Sequence, residues 1–441
     1  MTAQSGSAPA TDRSRRRSAI AAVGVAVLVI ALVIAALIVR NDTDGAANGT
    51  PSPAAPTASD AVASASVPES ANAAATSQEP SPTSTVGATI PGEWTAAATF
   101  SEPGRRYVLG DLAAWSGGLV AVGTRYEQEA RGVFGPPPAH AGRVWRSTDG
   151  TEWTDATPAG IFGQVELQHL LAGADGALIV IGDTWTGLDR TSAAWATSDG
   201  ESWEPIVLEG VPAGAWITRV ASGAKGHLAA AHVGAEPHTL FSADGRQWES
   251  TLSDATAVGY LGSGDEGFVA SIFRGDGAPL IVASSDGREW FDSPTRPGGA
   301  FLVAPRGADW LAMTTIFGDA LSVETSQSAN GLDWSPLGSV PLRSVEFEGV
   351  SCSETPGGIH GLPTLSVLGT VLSGPCGEGA VVAAGASYAS LDGVDWTRLP
   401  FGEQAFAAAA VTVGERVIVG TDTRTNLAEN IGVIFWISQA P

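Results

Sequence analysis

The residues best suited to chemistry in this chain sit in predicted loops. Asp183, Trp185, Asp189 and Arg190 fall close together, and a flat ring beside carboxylates and a guanidinium is a set that can hold a polar ligand such as a sugar or a peptide. Tyr126 offers a second ring in the longest loop, roughly Arg125 to Arg143. Tyr126, Asp183, Trp185, Asp189 and Arg190 are therefore the expected ligand face. Other combinations carry less. Tyr126-Glu127 sets a phenol beside a carboxylate, yet adjacency in sequence does not define a site. His232 and His238 are six residues apart with no carboxylate or cysteine pattern around them, so no metal is expected. Arg274-Gly275-Asp276 spells an integrin-type tripeptide, and Asp42-Thr43-Asp44-Gly45 starts like a calcium loop but lacks its later ligands. No GxSxG, HExxH or phosphate-binding glycine loop occurs. No catalytic residue and no cofactor is expected.

The elements that position these loops show in a repeat. The pattern [ST]-x-[DN]-G-x-x-W recurs six times, with its tryptophans at 153, 203, 248, 290, 334 and 396. Its residues are Ser147, Asp149, Gly150 and Trp153, then Asp199, Gly200 and Trp203, then Asp244, Gly245 and Trp248. Asp286, Gly287 and Trp290, then Asn330, Gly331 and Trp334, and last Asp392, Gly393 and Trp396 complete the set. Asp-Gly and Asn-Gly favour tight turns with positive φ, the Ser or Thr hydroxyl and the Asp carboxylate can bond turn amides, and the tryptophan can cover a neighbouring sheet. Between motifs each unit holds two more short strands around a glycine turn, so a unit reads as a four-stranded antiparallel meander of the size of a propeller blade.

The ends of the repeat region set the count. Trp94 sits where a motif tryptophan would sit, and Phe435-Trp436-Ile437-Ser438 aligns with Val144-Trp145-Arg146-Ser147 and with the segment holding Trp195. The expectation is an all-β, seven-bladed β-propeller over residues 92–441, closed by a split blade that joins its two ends. This uses ten of the fourteen tryptophans and, of the other four, leaves chiefly Trp185, with Trp216 and Trp310, free for other work. Cys352 and Cys376 share the longest unit, where a disulfide is the expected state outside the cytoplasm and two buried thiols the alternative.

Residues 1–18 carry four arginines, and residues 19–39 are an uncharged apolar run. The run is long enough to cross a bilayer, and the arginines before it orient the amino terminus inward. The expectation is a single-pass transmembrane helix with a short cytoplasmic tail; a cleaved signal peptide is the alternative. Residues 40–91 are rich in Ala, Ser, Thr and Pro, the composition of a disordered linker. The formal charge is −23. That excludes nucleic acid, whose affinity comes from neutralised phosphates.

The repeat resembles the Asp-box (BNR) repeat of sialidase-like β-propellers, with one residue fewer between Asp and Gly. The shorter form is similar to that of membrane-anchored actinobacterial sialidase-like repeat proteins. The resemblance implies that the boxes are structural and lie away from the ligand face. It also implies where sialidase chemistry would sit, and the chain departs from that pattern: Arg398-Leu399-Pro400 follows the sixth box, whereas the family's Arg-Ile-Pro precedes the first. The chain is therefore expected not to be a true sialidase. It is expected to be a binding or scaffold module at the cell surface, its partner a glycan or an envelope protein, with a glycan-active hydrolase as the alternative.

Overall fold

The computed structural model describes Ile90 and residues 93–127, 139–187, 189–275, 277–295, 302–316, 322–342, 344–347, 350–362, 365–373, 385–402, 405–423 and 432–438. The expected anchor, the expected linker and Cys376 lie outside these residues, and of Cys352 only the strand position is described. Among the described residues no helix is long and apolar enough to cross a membrane.

Seven antiparallel sheets follow one another along the chain. Blade 1 is Arg105–Trp115, Gly118–Glu127, His140–Ser147 and Thr154–Asp155. Blade 2 is Val165–Ala172, Leu178–Thr186, Asp189–Thr197 and Glu204–Ile206. Blade 3 is Trp216–Gly223, Gly226–Val233, Glu236–Ser242 and Glu249–Thr251. Blade 4 is Ala257–Gly264, Gly267–Phe273, Leu280–Ser284 and Phe291–Asp292. Blade 5 is Leu302–Arg306, Asp309–Ile316, Ser322–Ser328 and Ser335–Pro341. Blade 6 departs from the four-stranded expectation. An extra strand, Ser344–Phe347, precedes Val350–Gly361, Ser366–Ser373, Gly385–Ser390 and Thr397–Arg398. Blade 7 takes Ala405–Val413, Arg416–Thr423 and Val433–Ser438 from the end of the chain and Trp94–Phe100 from before blade 1. In that sheet Trp94 lies opposite Ser438 and Phe100 opposite Val433.

The second strand of each blade is sandwiched between neighbouring blades, so both of its faces are buried. That is why it reads as a continuous apolar run rather than an alternation: Leu178, Ile179, Val180 and Ile181 are all at or below 1% exposure. Trp310 begins the equivalent run in blade 5 and is itself core, which corrects the expectation that it was free. The first strands carry a β-bulge at a common place in six blades, between Leu109 and Asp111, Leu167 and His169, Ile217 and Arg219, Val258 and Tyr260, Pro356 and Gly358, and Ala407 and Ala409. A bulge sharpens the twist and re-aims the next side chain. After the first bulge, the Asp111 carboxylate accepts the Leu170 amide of blade 2 at 2.9 Å. Burial pushes this acid up to about 6. Other side chains bridge blades in the same way: Ser192 Oγ accepts the Ile217 amide at 2.7 Å, Ser387 Oγ the Ala407 amide at 2.7 Å, and Asp422 Oδ1 the Leu109 amide at 2.8 Å.

The repeated motif is the turn between third and fourth strands. Thr197 Oγ1 accepts the Gly200 amide at 2.8 Å, and Asp199 Oδ1 accepts the Glu201 and Ser202 amides at 2.8 and 2.7 Å. Where the indole closes the turn it donates to the glycine carbonyl, from Trp153, Trp290, Trp334 and Trp396 at 3.0 to 3.1 Å. Asn330 serves blade 5 as the aspartates serve the rest, its Oδ1 accepting the Leu332 and Asp333 amides at 2.9 Å. Every motif glycine has a left-handed φ of 71° to 84°. Glycine is required twice over, because a Cβ there would also strike the preceding blade: Ile418 at Gly150, Trp115 at Gly200, Leu171 at Gly245. The tryptophans pack across the same seams, as Trp153 does on Phe435 of blade 7 with parallel rings 4.0 Å apart.

Candidate functional site

On the face opposite the motif turns lie the hairpins joining second and third strands. The structure brings three of the five expected residues into one cavity there. Trp185, Asp189 and Arg190 line a space of about 580 Å³ with Thr191, Gly214, Trp216 and Gly234. Trp185 and Arg190 are cross-strand neighbours in blade 2. The Arg190 guanidinium lies 5.4 Å from the Trp185 ring centre and 4.6 Å from that of Trp216 in blade 3. Trp216 also stacks with His232, its cross-strand neighbour, at 5.3 Å. Two indoles, a guanidinium and an imidazole thus meet at the seam between blades 2 and 3.

Beneath the cavity, two carboxylates hold Arg190 in place. Asp183 pairs with its Nη2, and Glu166, opposite Asp183 in the sheet, lies 3.6 Å from the same nitrogen. Asp183 is 1% exposed, and burial pushes it up to about 6 against the pull of Arg190 and of the Ser192 hydroxyl. Asp183 is therefore placed as a support for Arg190, not as a lining residue. His169 is pushed down to about 4 by burial and by the nearby Arg219 and Arg190, which leaves its imidazole neutral at physiological pH. Among the described residues, Trp185 Nε1, Arg190 Nε and His169 Nε2 are buried atoms with no hydrogen-bond partner. Buried polar atoms are normally satisfied; unpartnered ones also occur at Arg105, Arg125 and Arg143 in blade 1, so they are not peculiar to this seam.

Tyr126 is not part of this constellation. It lies at the end of a blade 1 strand, its ring 5.7 Å from His140 and 5.5 Å from the Arg106 guanidinium. Its neighbour Glu127 is engaged by Arg105 and lies 3.9 Å from Arg125. Nearby, Tyr107 donates to Glu102 and is pushed up to about 12, chiefly by burial. This is a structural ion-pair cluster. The integrin-type tripeptide is likewise occupied, since Arg274 is gripped by Asp292 and Asp254 at 2.7 Å each. His232 lies opposite Pro237 and His238 opposite Ala231, which puts the two imidazoles on opposite faces of one sheet. Trp216 is the site residue that sequence reasoning did not assign. Its signal was a tryptophan outside the motif at the start of a first strand.

No family model matches the sequence, and no curated protein matches it. Solved structures align with parts of the chain. A GH74 xyloglucanase from Xanthomonas campestris aligns over 76% of this chain and 54% of its own, at 13% identity and a TM-score of 0.44. A Trypanosoma rangeli sialidase, solved with sialic acid, aligns over 76% and 54% at 11% identity and a TM-score of 0.38. A Penicillium chrysogenum α-L-arabinanase, solved with arabinobiose, aligns over 77% and 98% at 11% identity and a TM-score of 0.35. The chain thus spans about half the length of the first two. At such identities the likeness concerns the fold alone.

Proposed function

We propose that this protein is a membrane-anchored, extracytoplasmic β-propeller that acts as a binding module at the cell surface. The apolar run 19–39 with its arginine-rich flank supports the anchor, and the Ala/Ser/Thr/Pro stretch 40–91 supports a spacer. The motif geometry supports membership among the Asp-box repeat propellers. The sheet built from both ends of the repeat region supports a clasp that closes the ring and removes a free edge. The pairing of Ser353 with Ser373 supports a Cys352–Cys376 bridge in blade 6.

The observation that carries the binding reading is the cavity at the seam of blades 2 and 3, with two indoles and a buttressed arginine. The ligand class is a glycan or an envelope protein. Hydrolysis of a glycosidic bond needs two carboxylates about 5–10 Å apart that reach one cleft. Among the described residues lining this cavity only Asp189 is acidic, since Asp183 and Glu166 are spent on Arg190. Binding without turnover is thus favoured over the hydrolase.

The test is retention of the full chain on immobilised envelope polysaccharide and on envelope protein, compared with a Trp185→Ala, Asp189→Ala double variant. Both residues reach the cavity, and the variant spares Arg190. Retention on one of the two matrices should fall about tenfold or more, the scale of losing a buried aromatic anchor. Equal retention of both proteins would contradict the assignment.

A further inference from the structure

The charges around the cavity of blades 2 and 3 bear on which ligands it can take. Arg190 is the only cation among the residues that line it, and its charge is already answered from below. Asp183 pairs with Nη2, and Glu166 lies 3.6 Å from the same nitrogen. Burial pushes Asp183 up only to about 6, so it is ionised at physiological pH, and two carboxylates there face one guanidinium. His169 beside them is neutral at that pH. Arg219 lies over the Tyr260 ring at 4.2 Å and does not line the cavity. At the rim Asp189 is exposed and, unlike the two carboxylates below, forms no ion pair among the described residues. Glu236 is exposed two residues beyond Gly234, which lines the same cavity. An acidic ligand would meet Asp189 with no uncommitted cation to receive it.

A cationic ligand would be drawn by these acids, and the face of an indole is its usual seat. Here a cation already holds that seat. The Arg190 guanidinium lies 5.4 Å from the Trp185 ring centre and 4.6 Å from that of Trp216, and Trp216 stacks with His232 as well. A second cation brought to these rings would sit against the first. An uncharged, hydroxyl-rich ligand meets neither obstacle. The electron-rich face of an indole attracts the polarised C–H groups of a sugar ring. A carboxylate is acceptor-only and takes hydroxyl donors at both oxygens. There is also room. The cavity of about 580 Å³ is within the roughly 300–1,000 Å³ of small-molecule sites. Gly214 and Gly234 border it without side chains, and a Cβ on either would meet nothing within 4 Å.

We propose that this cavity selects uncharged sugars. It seats a neutral sugar ring against the half-buried Trp185, with hydroxyls donating to Asp189, and turns away acidic glycans and basic peptides. The inference rests on the binding reading above and narrows its ligand class from a glycan or an envelope protein to a neutral glycan.

The experiment reads the full chain in detergent on an array of immobilised oligosaccharides, neutral ones beside carboxylated and sulfated ones, with polylysine as the cationic probe. Signals that fall about tenfold or more in Trp185→Ala belong to the cavity, and all of them should be neutral glycans. Trp185→Tyr, which keeps a flat ring, should retain those signals, which separates loss of the seat from loss of the fold. In Asp189→Asn, an exposed and isosteric change, carboxylated glycans should gain about tenfold relative to neutral ones, because one like-charge contact is gone. The repulsion exerted by the whole chain is nearly the same in that variant, since its formal charge moves by a single unit from −23. Trp185-dependent binding of a carboxylated glycan or of polylysine by the unmutated chain would overturn the neutral class and leave the cavity as the binding site. An unchanged preference in Asp189→Asn would overturn selection by charge. No Trp185-dependent signal on any probe would overturn the binding reading itself, and this inference with it.

Discussion

Replacing Gly287 with alanine is expected to destabilise the propeller by about 3 kcal/mol or more, whereas Gly176→Ala should cost only about 1 kcal/mol. Both glycines hold a φ of +78°, so the backbone cost of forcing a Cβ into the left-handed region is common to the two. They differ in what the Cβ meets. At Gly176 nothing lies within 4 Å, but at Gly287 the new atom would sit 2.2 Å from Phe241 Cδ2. Phe241 belongs to blade 3 and is 1% exposed, with Phe268 and the Arg288 guanidinium packed on it. It has nowhere to go in a close-packed interior. The difference between the two variants therefore isolates the blade-to-blade contact that the turn makes. Chemical denaturation of the two variants beside the unmutated chain measures it. Equal losses would mean that the motif glycine is a requirement of its own turn only.

Arg190→Ala should be among the most damaging single changes to a residue that reaches the surface. It leaves Asp183 and Glu166 buried without their cation, and breaking a buried pair in this way costs about 3–5 kcal/mol. The loss should depend on pH with a definite sign. The folded-state value of Asp183 is about 6, against 3.8 for an ordinary aspartate. Between those values the folded state binds the proton more tightly than the unfolded state, so this group favours folding below about 3.8. That advantage is lost as pH rises through 6. Removing the cation raises the folded-state value further. The gap between Arg190→Ala and the unmutated chain should therefore be smaller at pH 5 than at pH 7.5. An added Asp183→Asn should recover much of the stability at pH 7.5, since it removes one stranded charge. A pH-independent loss, or no recovery in the double variant, would show that Arg190 acts through stacking on Trp185 and Trp216 rather than through its carboxylates.

What could be read from the sequence was local. A motif turn holds its chemistry within seven residues, and blade 5 keeps the turn with Asn330 in place of aspartate because an amide oxygen serves the same two amides. The second strands were legible because burial on both faces leaves an unbroken apolar run. Trp310 was misread for want of applying that rule one step further: it opens such a run, in the register of Leu119 and Leu178. The bulges were not legible. The residues skipped by the register shifts are Gly110, Gly259 and Gly357, which glycine's freedom favours, but also Gln168, Thr218 and Ala408, so residue type alone does not mark the place.

The ligand face was half legible for the same reason. Trp185 and Arg190 were found together because they sit on one hairpin. Trp216 joins them from the next blade, and that contact depends on the rotation between adjacent sheets, which no local pattern encodes. Tyr126 was grouped with them as a ring in the longest loop of that face and lies instead against His140 and Arg106.

The central claim, a propeller held outside the cytoplasm by an amino-terminal anchor, has an unusually direct test in the composition. Lys225 is the only lysine in 441 residues, and it is exposed in the turn between the first two strands of blade 3. An amine reagent that cannot cross membranes, applied to intact cells, should modify Lys225 as fully as it does after lysis, while the amino-terminal amine reacts only after lysis. Modification of Lys225 only after lysis would contradict the account.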